Sequence, residues 1–202
     1  MKGKDLGLGL AMAGLMSAPV LAGYLVDNGS LPIGSGRTVS GPNIAGGWTV
    51  FQPFTVTDAA GWHVNTIGVD GWLVLNPFDN DMLGTLLPDD GFGNPDEGSP
   101  VMKMVFDMTN TDANTSAWVD VIFDVDIGMG DYWMKWEDNG DPDYWAAIYN
   151  APMGENSFSR RDDGEVFPSG PTALRIDGTI IPGPASMAVL GLALAGVRRR
   201  RH

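Results

Sequence analysis

VDVIFDVDI, residues 119–127, is the stretch that decides the fold class. All five odd positions are apolar, three of the four even positions are aspartate, and only Ile122 breaks the alternation. Successive side chains of a β-strand point to opposite faces of its sheet. The stretch therefore predicts a strand with one buried face and one face in water.

The same period of two recurs outward from this strand, in residues 67–75, 102–108 and 172–177. Weaker examples are residues 49–56, 132–136 and 145–149. Between residues 23 and 181 no ten residues carry a clean helical stripe, and clusters of Asp, Asn, Gly and Pro separate the apolar runs. This predicts an all-β fold, an antiparallel β-sandwich of jelly-roll type with seven or so strands.

Charge and cysteine content exclude two classes of function. Residues 23–181 hold six cations against twenty-four anions, a formal charge of −18. Binding to a phosphate backbone needs clustered Lys and Arg, so nucleic acid is excluded as a partner. The chain has no cysteine and therefore neither disulfides nor thiolate metal sites.

The amino-terminal segment has the layout of a secretory signal. Lys2 and Lys4 precede an apolar run over residues 6–16, and small or modest side chains at Val20 and Ala22 stand before Gly23. This predicts a signal peptide over residues 1–22, cut before Gly23 after passage through the Sec translocon and signal peptidase. The alternative is a short helix of the folded domain.

The carboxyl-terminal segment has three parts. A proline element is followed by an uncharged run, residues 185–197, which as a helix reaches roughly 20 Å, short of a hydrocarbon core of about 30 Å. Such a run also suits a buried helix, but the arginine cluster that follows favours membrane insertion with the cluster in the cytoplasm. The residues concerned are Pro182, Gly183, Pro184, Arg198, Arg199, Arg200 and Arg201.

This order of elements resembles the PEP-CTERM sorting signal of Gram-negative bacteria, with Pro182-Gly183-Pro184 in place of Pro-Glu-Pro. The resemblance implies handling by exosortase, a membrane transpeptidase that removes the tail. It also implies anchoring in the inner membrane during transit and a final place at the cell surface or outside the cell. The chain would then divide into a secretory signal helix (1–22), an exported domain (23–181) and a sorting signal (182–202) that contains a hydrophobic helix.

The exported segment carries a second, weaker resemblance. Asp27-Asn28-Gly29-Ser30, the FTVT of residues 54–57 leading to Gly61-Trp62, and the ALRIDG of residues 173–178 resemble the body found in many PEP-CTERM proteins. That resemblance implies a lectin-type sandwich.

One loop predicts a calcium site. Hard oxygen ligands at short intervals suit calcium, although their order is not that of an EF-hand. The alternative is an ordinary turn with its side chains in water. The candidate ligands are Asp138, Asn139, Asp141 and Asp143.

Three tryptophans suggest a platform for sugars, whose pyranose faces stack on aromatic rings. Trp133 and Trp136 have opposite parity, so in one strand at least one of them points away from the interior. Trp145 follows in the next segment. The alternative is that these rings belong to the core.

Catalysis is not predicted. His63 is the only histidine between residues 23 and 181, and no Gly-x-Ser-x-Gly elbow accompanies it. Asp124 and Asp126 lie about 7 Å apart on one strand face, where alternating acids are usually only solubilising. Two functions remain: a structural or interaction protein of the cell surface or extracellular matrix, associated with exopolysaccharide or biofilm, and a carbohydrate-binding, lectin-like module with calcium as a candidate cofactor.

Overall fold

The computed structural model describes residues 23–44, 46–75, 81–108 and 117–183, without the side chains of residues 32–35 and 74–75. This part of the chain is all β, with twelve strands and no helix. No helix long and apolar enough to span a bilayer occurs within these ranges. The strands are β1 (Tyr24–Asp27), β2 (Leu31–Ser40), β3 (Trp48–Val56), β4 (Trp62–Leu75), β5 (Asp81–Pro88), β6 (Met102–Asp107), β7 (Trp118–Ile127), β8 (Gly130–Asp138), β9 (Trp145–Asn150), β10 (Phe158–Arg161), β11 (Val166–Pro168) and β12 (Leu174–Ile180).

All strand pairs are antiparallel, in the order β1-β12-β4-β9-β2-β3-β8-β5-β6. The long strand β4 belongs to two layers. Its residues 62–70 pair with β7 and β12, and its residues from Gly71 onward pair with β9. On the edge of β3 away from β8, β10 adds to the sheet and carries β11. The arrangement is consistent with a β-sandwich.

The main core lies between these two groups of strands. Ile67 of β4 and Phe123 of β7 come from one group, while Val50 of β3 and Met134 of β8 come from the other, and all four are buried. Burial of a large apolar side chain contributes about 1.5–3 kcal/mol, so this shared core holds the layers together without disulfides.

The alternation that predicted β7 is confirmed. Val121, Phe123 and Ile127 are buried while Asp124 and its even neighbours are exposed. The strand is nonetheless irregular, because Val64 pairs with Val125 and Thr66 with Ile122, so that two residues of β7 face one of β4. Asp124 lies in this bulge with a φ of 48°.

The structure has more strands than the alternation predicted. All seven predicted segments are strands, with boundaries shifted by a few residues. The five others are β1, β2, β5, β10 and β11. Of these, β5 is buried on both faces over most of its length, and a strand of that kind carries no period of two.

Both ends of the described chain lie at one end of the molecule. In the pairing of β1 with β12, Tyr24 is opposite Asp177. In the pairing of β12 with β4, Ile180 is opposite Trp62, and the next residue, Ile181, donates its N–H to the carbonyl oxygen of Gly61 at 3.0 Å. Residue 23 and residues 181–183 therefore lie at the same end of the sandwich. Several residues of the predicted signals lie outside the described ranges: Val20, Ala22, Pro184 and Arg198 to Arg201.

Candidate functional site

A depression of about 310 Å³ lies on the outer face of β8, the face opposite the main core. Three strands or loops bring carboxylates to it: the loop after β5, the start of β8 and the segment before β10. We call it the Trp133 hollow. It is lined by Pro53, Asp89, Gly93, Asp131, Trp133, Glu155 and Asn156.

Trp133 is held in place by apolar packing and by one hydrogen bond. Its ring packs with Phe51 and Leu87 in a second, smaller apolar cluster and meets Phe158 edge-on at 5.4 Å between ring centroids. The indole N–H donates to the Oδ2 atom of Asp89 at 3.0 Å. Only 7% of the residue is exposed, so it supplies a firm wall to the hollow and little free ring surface.

The loop between β5 and β6 forms the rim of the hollow and is held by its own aspartates. Asp89 accepts the N–H groups of Gly91 and Gly93 at 2.7 and 3.1 Å. Asp90 accepts those of Phe92 and Asn94 at 2.8 and 3.2 Å. Gly91 and Gly93 have φ of 85° and 84°, a conformation that glycine adopts without strain. The result is a fixed loop with Phe92, 89% exposed, at its tip.

The hollow is electrostatically negative. The pKa of Asp89 is lowered, mainly by the hydrogen bond from the indole N–H of Trp133. Burial opposes this effect, and the N–H groups of Gly93 and Gly91 lower the pKa further. The Thr55 hydroxyl lies 2.7 Å from Asp131 and 3.1 Å from Glu155. It has one proton, which it can give to only one of these carboxylates at a time. Within the described part of the chain, Asp89, Asp131 and Glu155 make no ion pair.

A second depression of about 440 Å³ adjoins the hollow through Gly93, Trp133 and Asn156. Here the charges compensate each other. Arg160 donates two hydrogen bonds to Glu97, at 2.5 and 2.9 Å, and Lys135 lies 3.1 Å from the same carboxylate. The hydrogen bond between Arg160 and Glu97 is the main cause of the lowered pKa of Glu97 and the raised pKa of Arg160. This side therefore offers no excess charge to a ligand.

The predicted calcium ligands are not brought together. Asp138 accepts from the N–H of Gly140 at 3.0 Å, Asp141 from that of Asp143 at 2.9 Å, and Asp143 from the side chain of Asn43 at 2.9 Å. Among the described residues no three histidines or carboxylates could hold a metal ion. The loop is built as the ordinary turn that was the alternative, with Asn139 exposed. Burial is the main cause of a raised pKa at Asp138, and the charges of Glu137 and Asp162 add to it.

The three tryptophans do not form one platform. Trp136 is fully buried in the main core, where its ring lies over Gly84; a Cβ atom there would be 2.8 Å from the ring. The prediction is therefore wrong for Trp136, whose ring fits inside because Gly84 has no side chain. It is also wrong for Trp133, which the cluster of Phe51, Leu87 and Phe158 leaves only 7% exposed. Trp133 and Trp136 do lie on opposite faces of β8. Trp145, 36% exposed at the start of β9, is the one of the three with substantial ring surface.

His63 lies between two aspartates of β7. Its Nε2 is 3.3 Å from Asp124 and its Nδ1 is 2.7 Å from Asp126. The two carboxylates do share a face of β7, as predicted, and on that face they hold this histidine.

Sequence reasoning missed Asp131, Glu155 and Phe92 as site residues. The two carboxylates are 24 residues apart in the chain and nothing local marks them as neighbours. A signal for Phe92 was present: an aromatic residue between two glycines after paired aspartates, DDGFG at residues 89–93, is typical of a tight loop that displays a ring.

Comparison of the chain with protein-family models, with curated proteins and with solved structures finds no match. The proposals below therefore depend on the sequence and on this geometry.

Proposed function

We propose that the chain is an exported protein displayed at the cell surface or in the extracellular matrix of a Gram-negative-type bacterium. In this proposal the body, residues 23–181, is a β-sandwich of jelly-roll type with a structural or interaction role associated with exopolysaccharide or biofilm. The signal at residues 1–22 is removed by signal peptidase after Sec export, and the tail at 182–202 is handled by an exosortase-type enzyme.

The observation that supports this proposal is the position of Gly23 and Pro182, which border the two segments proposed to be removed. Gly23 and Pro182 are both exposed and adjoin the same end of the sandwich, through the pairs formed by β1, β12 and β4. With the tail inserted in the inner membrane, both sites would face one membrane surface. A membrane-bound peptidase and a membrane-bound transpeptidase could then each reach its site without unfolding the domain.

The charge of the body suits such a place. A formal charge of −18 over residues 23–181 makes copies of the body repel one another, which keeps an exported protein soluble at high local concentration. The core needs no disulfide, so folding outside the cytoplasm does not depend on an oxidising partner.

Intact-mass analysis tests this proposal. The full-length gene is expressed in a Gram-negative host that has an exosortase, and the protein from envelope and medium is compared with a variant in which the four terminal arginines are glutamine. We expect a mature amino-terminus at Gly23 and loss of Arg198 to Arg201 in the unaltered protein, with disturbed retention in the variant. Recovery of all 202 residues from the cytoplasm would refute export.

A second candidate function is carbohydrate binding, favoured by the exposed part of Trp145, which follows directly after Asp143 and the buried Tyr144. Calorimetry with exopolysaccharide fragments tests it by comparing Trp145→Ala with Phe167→Ala, which removes a ring of similar exposure, 37%, on β11. Loss of binding in the first variant alone supports a sugar site at Trp145. Equal binding by both variants and the unaltered protein excludes one there.

A further inference from the structure

Phe92 has the most exposed ring in the described part of the chain. It lies next in the chain to Gly93, which lines the Trp133 hollow, while Phe92 itself projects from the loop beside it. Single exposed apolar side chains are common on protein surfaces. This one differs because the loop that carries it is fixed by hydrogen bonds. The paired aspartates fix four N–H groups of the loop, and Asp90 also donates its own N–H to the carbonyl oxygen of Asn94 at 2.8 Å.

Rigid display matters for binding because association otherwise costs the ordering of the loop and the side chain. An aromatic residue with two rotatable bonds on a fixed loop loses little freedom when it enters a pocket. A few residues carry most of the binding energy at protein interfaces, and aromatic side chains, Phe among them, are enriched there.

The hollow beside Phe92 has a definite charge preference. Its three carboxylates belong to Asp89, Asp131 and Glu155, and its lining holds no Lys or Arg. The single hydroxyl proton of Thr55 cannot serve both Asp131 and Glu155. Both carboxylates are exposed, so an ammonium or guanidinium group, with three or five N–H donors, could reach and donate to both at once.

We propose that Phe92 and the Trp133 hollow form one docking surface for a basic peptide segment of a partner protein, with a Lys or Arg side chain in the hollow and a neighbouring apolar side chain against Phe92. This goes beyond the proposed display function and does not depend on it. A second copy of the chain is disfavoured because each copy carries −18 over residues 23–181. An anionic membrane is disfavoured because the loop itself, residues 89–98, has four acids and no base.

The test uses a synthetic peptide, acetyl-Lys-Leu-Lys-Leu-Lys-amide, and the full-length protein, with binding followed by calorimetry and by the NMR signal of the Trp133 indole N–H. Two control peptides separate the contributions: one has glutamine in place of lysine, and one has glycine in place of leucine. We expect only the first peptide to bind measurably and to shift the indole signal, and its affinity to fall as salt is added.

Four single variants locate the contacts. Phe92→Ala and Glu155→Gln should each weaken binding about fivefold or more, the size of effect that a contributing interface residue has. Two variants are controls. Ile122→Ala removes an apolar side chain on β7 that is 66% exposed, and Glu165→Gln removes an exposed carboxylate of the β10–β11 turn. Both should leave the affinity within about twofold of that of the unaltered protein. All four changes are at exposed side chains, and circular dichroism checks that the fold is kept.

Three results would overturn the proposal. The first is no binding of the lysine-leucine peptide by the unaltered protein. The second is binding that persists in either Phe92→Ala or Glu155→Gln, since both parts of the surface are required. The third is tighter binding of a chitosan oligomer, which is cationic without apolar side chains, at an affinity unaffected by Phe92→Ala; that outcome would assign the hollow to an amino sugar instead.

Discussion

At the scale of single residues, Gln52 shows how one buried polar side chain can join three segments. It is fully buried in β3. Its Oε1 accepts the N–H and the hydroxyl of Thr172 at 2.7 and 2.5 Å, and its Nε2 donates to the carbonyl oxygens of Pro53 and Glu155 at 3.0 and 3.1 Å. Glu155 also lines the Trp133 hollow, so this side chain positions part of the candidate site.

We expect Gln52→Leu to destabilise the protein by about 2–4 kcal/mol, because the buried donors of Thr172 lose their acceptor and no water replaces it. Chemical denaturation measures the change. Thr57→Val, at an exposed position just after β3, is the control and should change stability by less than about 0.5 kcal/mol. A loss below about 1 kcal/mol for Gln52→Leu would show that these hydrogen bonds do not hold the segment.

The hydrogen bond between Trp133 and Asp89 gives a prediction about pH. A lowered pKa means that the folded state favours the carboxylate, so the contribution to stability is present above the ordinary pKa of aspartate. It is lost as the pH falls through the lowered value in the folded protein. Trp133→Phe keeps most of the packing but removes the donor. We expect the pKa of Asp89, followed by NMR of its carboxyl carbon, to rise in that variant and to stay unchanged in Trp145→Phe. An unaltered titration of Asp89 in Trp133→Phe would contradict the assigned cause.

At the scale of elements, β7 is an edge strand whose bulge at Asp124 disfavours pairing with other chains. Its outer edge pairs with no other strand among the described residues, since its one strand partner there is β4. Exposed edges invite pairing with other chains, and proteins counter this with bulges and charges. β7 has both: the bulge at Asp124 and the exposed acids Asp120 and Asp126.

The bulge predicts a difference between two chemically identical substitutions. Asp124 has a φ of 48°, which aspartate tolerates and a β-branched residue does not. Asp126 lies on the same face, outside the left-handed region, and contacts the same His63. We expect Asp124→Val to lose about 1–2 kcal/mol more stability than Asp126→Val, measured by denaturant unfolding. Equal losses would mean that the strand can straighten at no cost.

The elements also show what local sequence can and cannot predict. Strands with one wet face, such as β6 and β7, are visible because their alternation reports burial directly. Strand β5 was missed because both of its faces are covered. The sequence correctly predicted that Trp133 and Trp136 lie on opposite faces of β8. It could not predict that Trp133 is buried as well, because Phe158, which packs on it, belongs to a strand that the alternation did not reveal. The hollow is assembled from four segments that are distant in the chain, and no local pattern in the sequence predicts that they meet.

At the scale of the whole molecule, charge dominates. Twenty-four anions against six cations over residues 23–181 repel one another, and screening by any salt reduces the repulsion. The turn at residues 138–143 contributes to it locally. Asp138 is partly buried and lies near Glu137 and Asp162, and both effects raise its pKa, so its charge costs more there than it would in water.

This charge balance predicts how the protein responds to divalent ions. Calcium and magnesium chloride at equal concentration have equal ionic strength, so screening raises the melting temperature equally. A built calcium site would add a further increment for calcium alone, because an ion that binds only the folded state stabilises it and magnesium dehydrates reluctantly. Since Asp138 and Asp141 accept hydrogen bonds within the turn and Asp143 accepts one from the side chain of Asn43, we expect equal increments by calorimetry.

The triple variant Asp138→Asn, Asp141→Asn, Asp143→Asn makes the comparison decisive. Asparagine keeps an oxygen that can accept from the same N–H groups, while three negative charges are removed. We expect a higher melting temperature without added ions, and smaller but still equal increments with calcium and magnesium, because less repulsion remains to be screened. A larger increment with calcium in the unaltered protein that disappears in the triple variant would instead mean that the turn rearranges to bind the ion. In that case binding would have to offset the three hydrogen bonds that the carboxylates accept, two within the turn and one from Asn43.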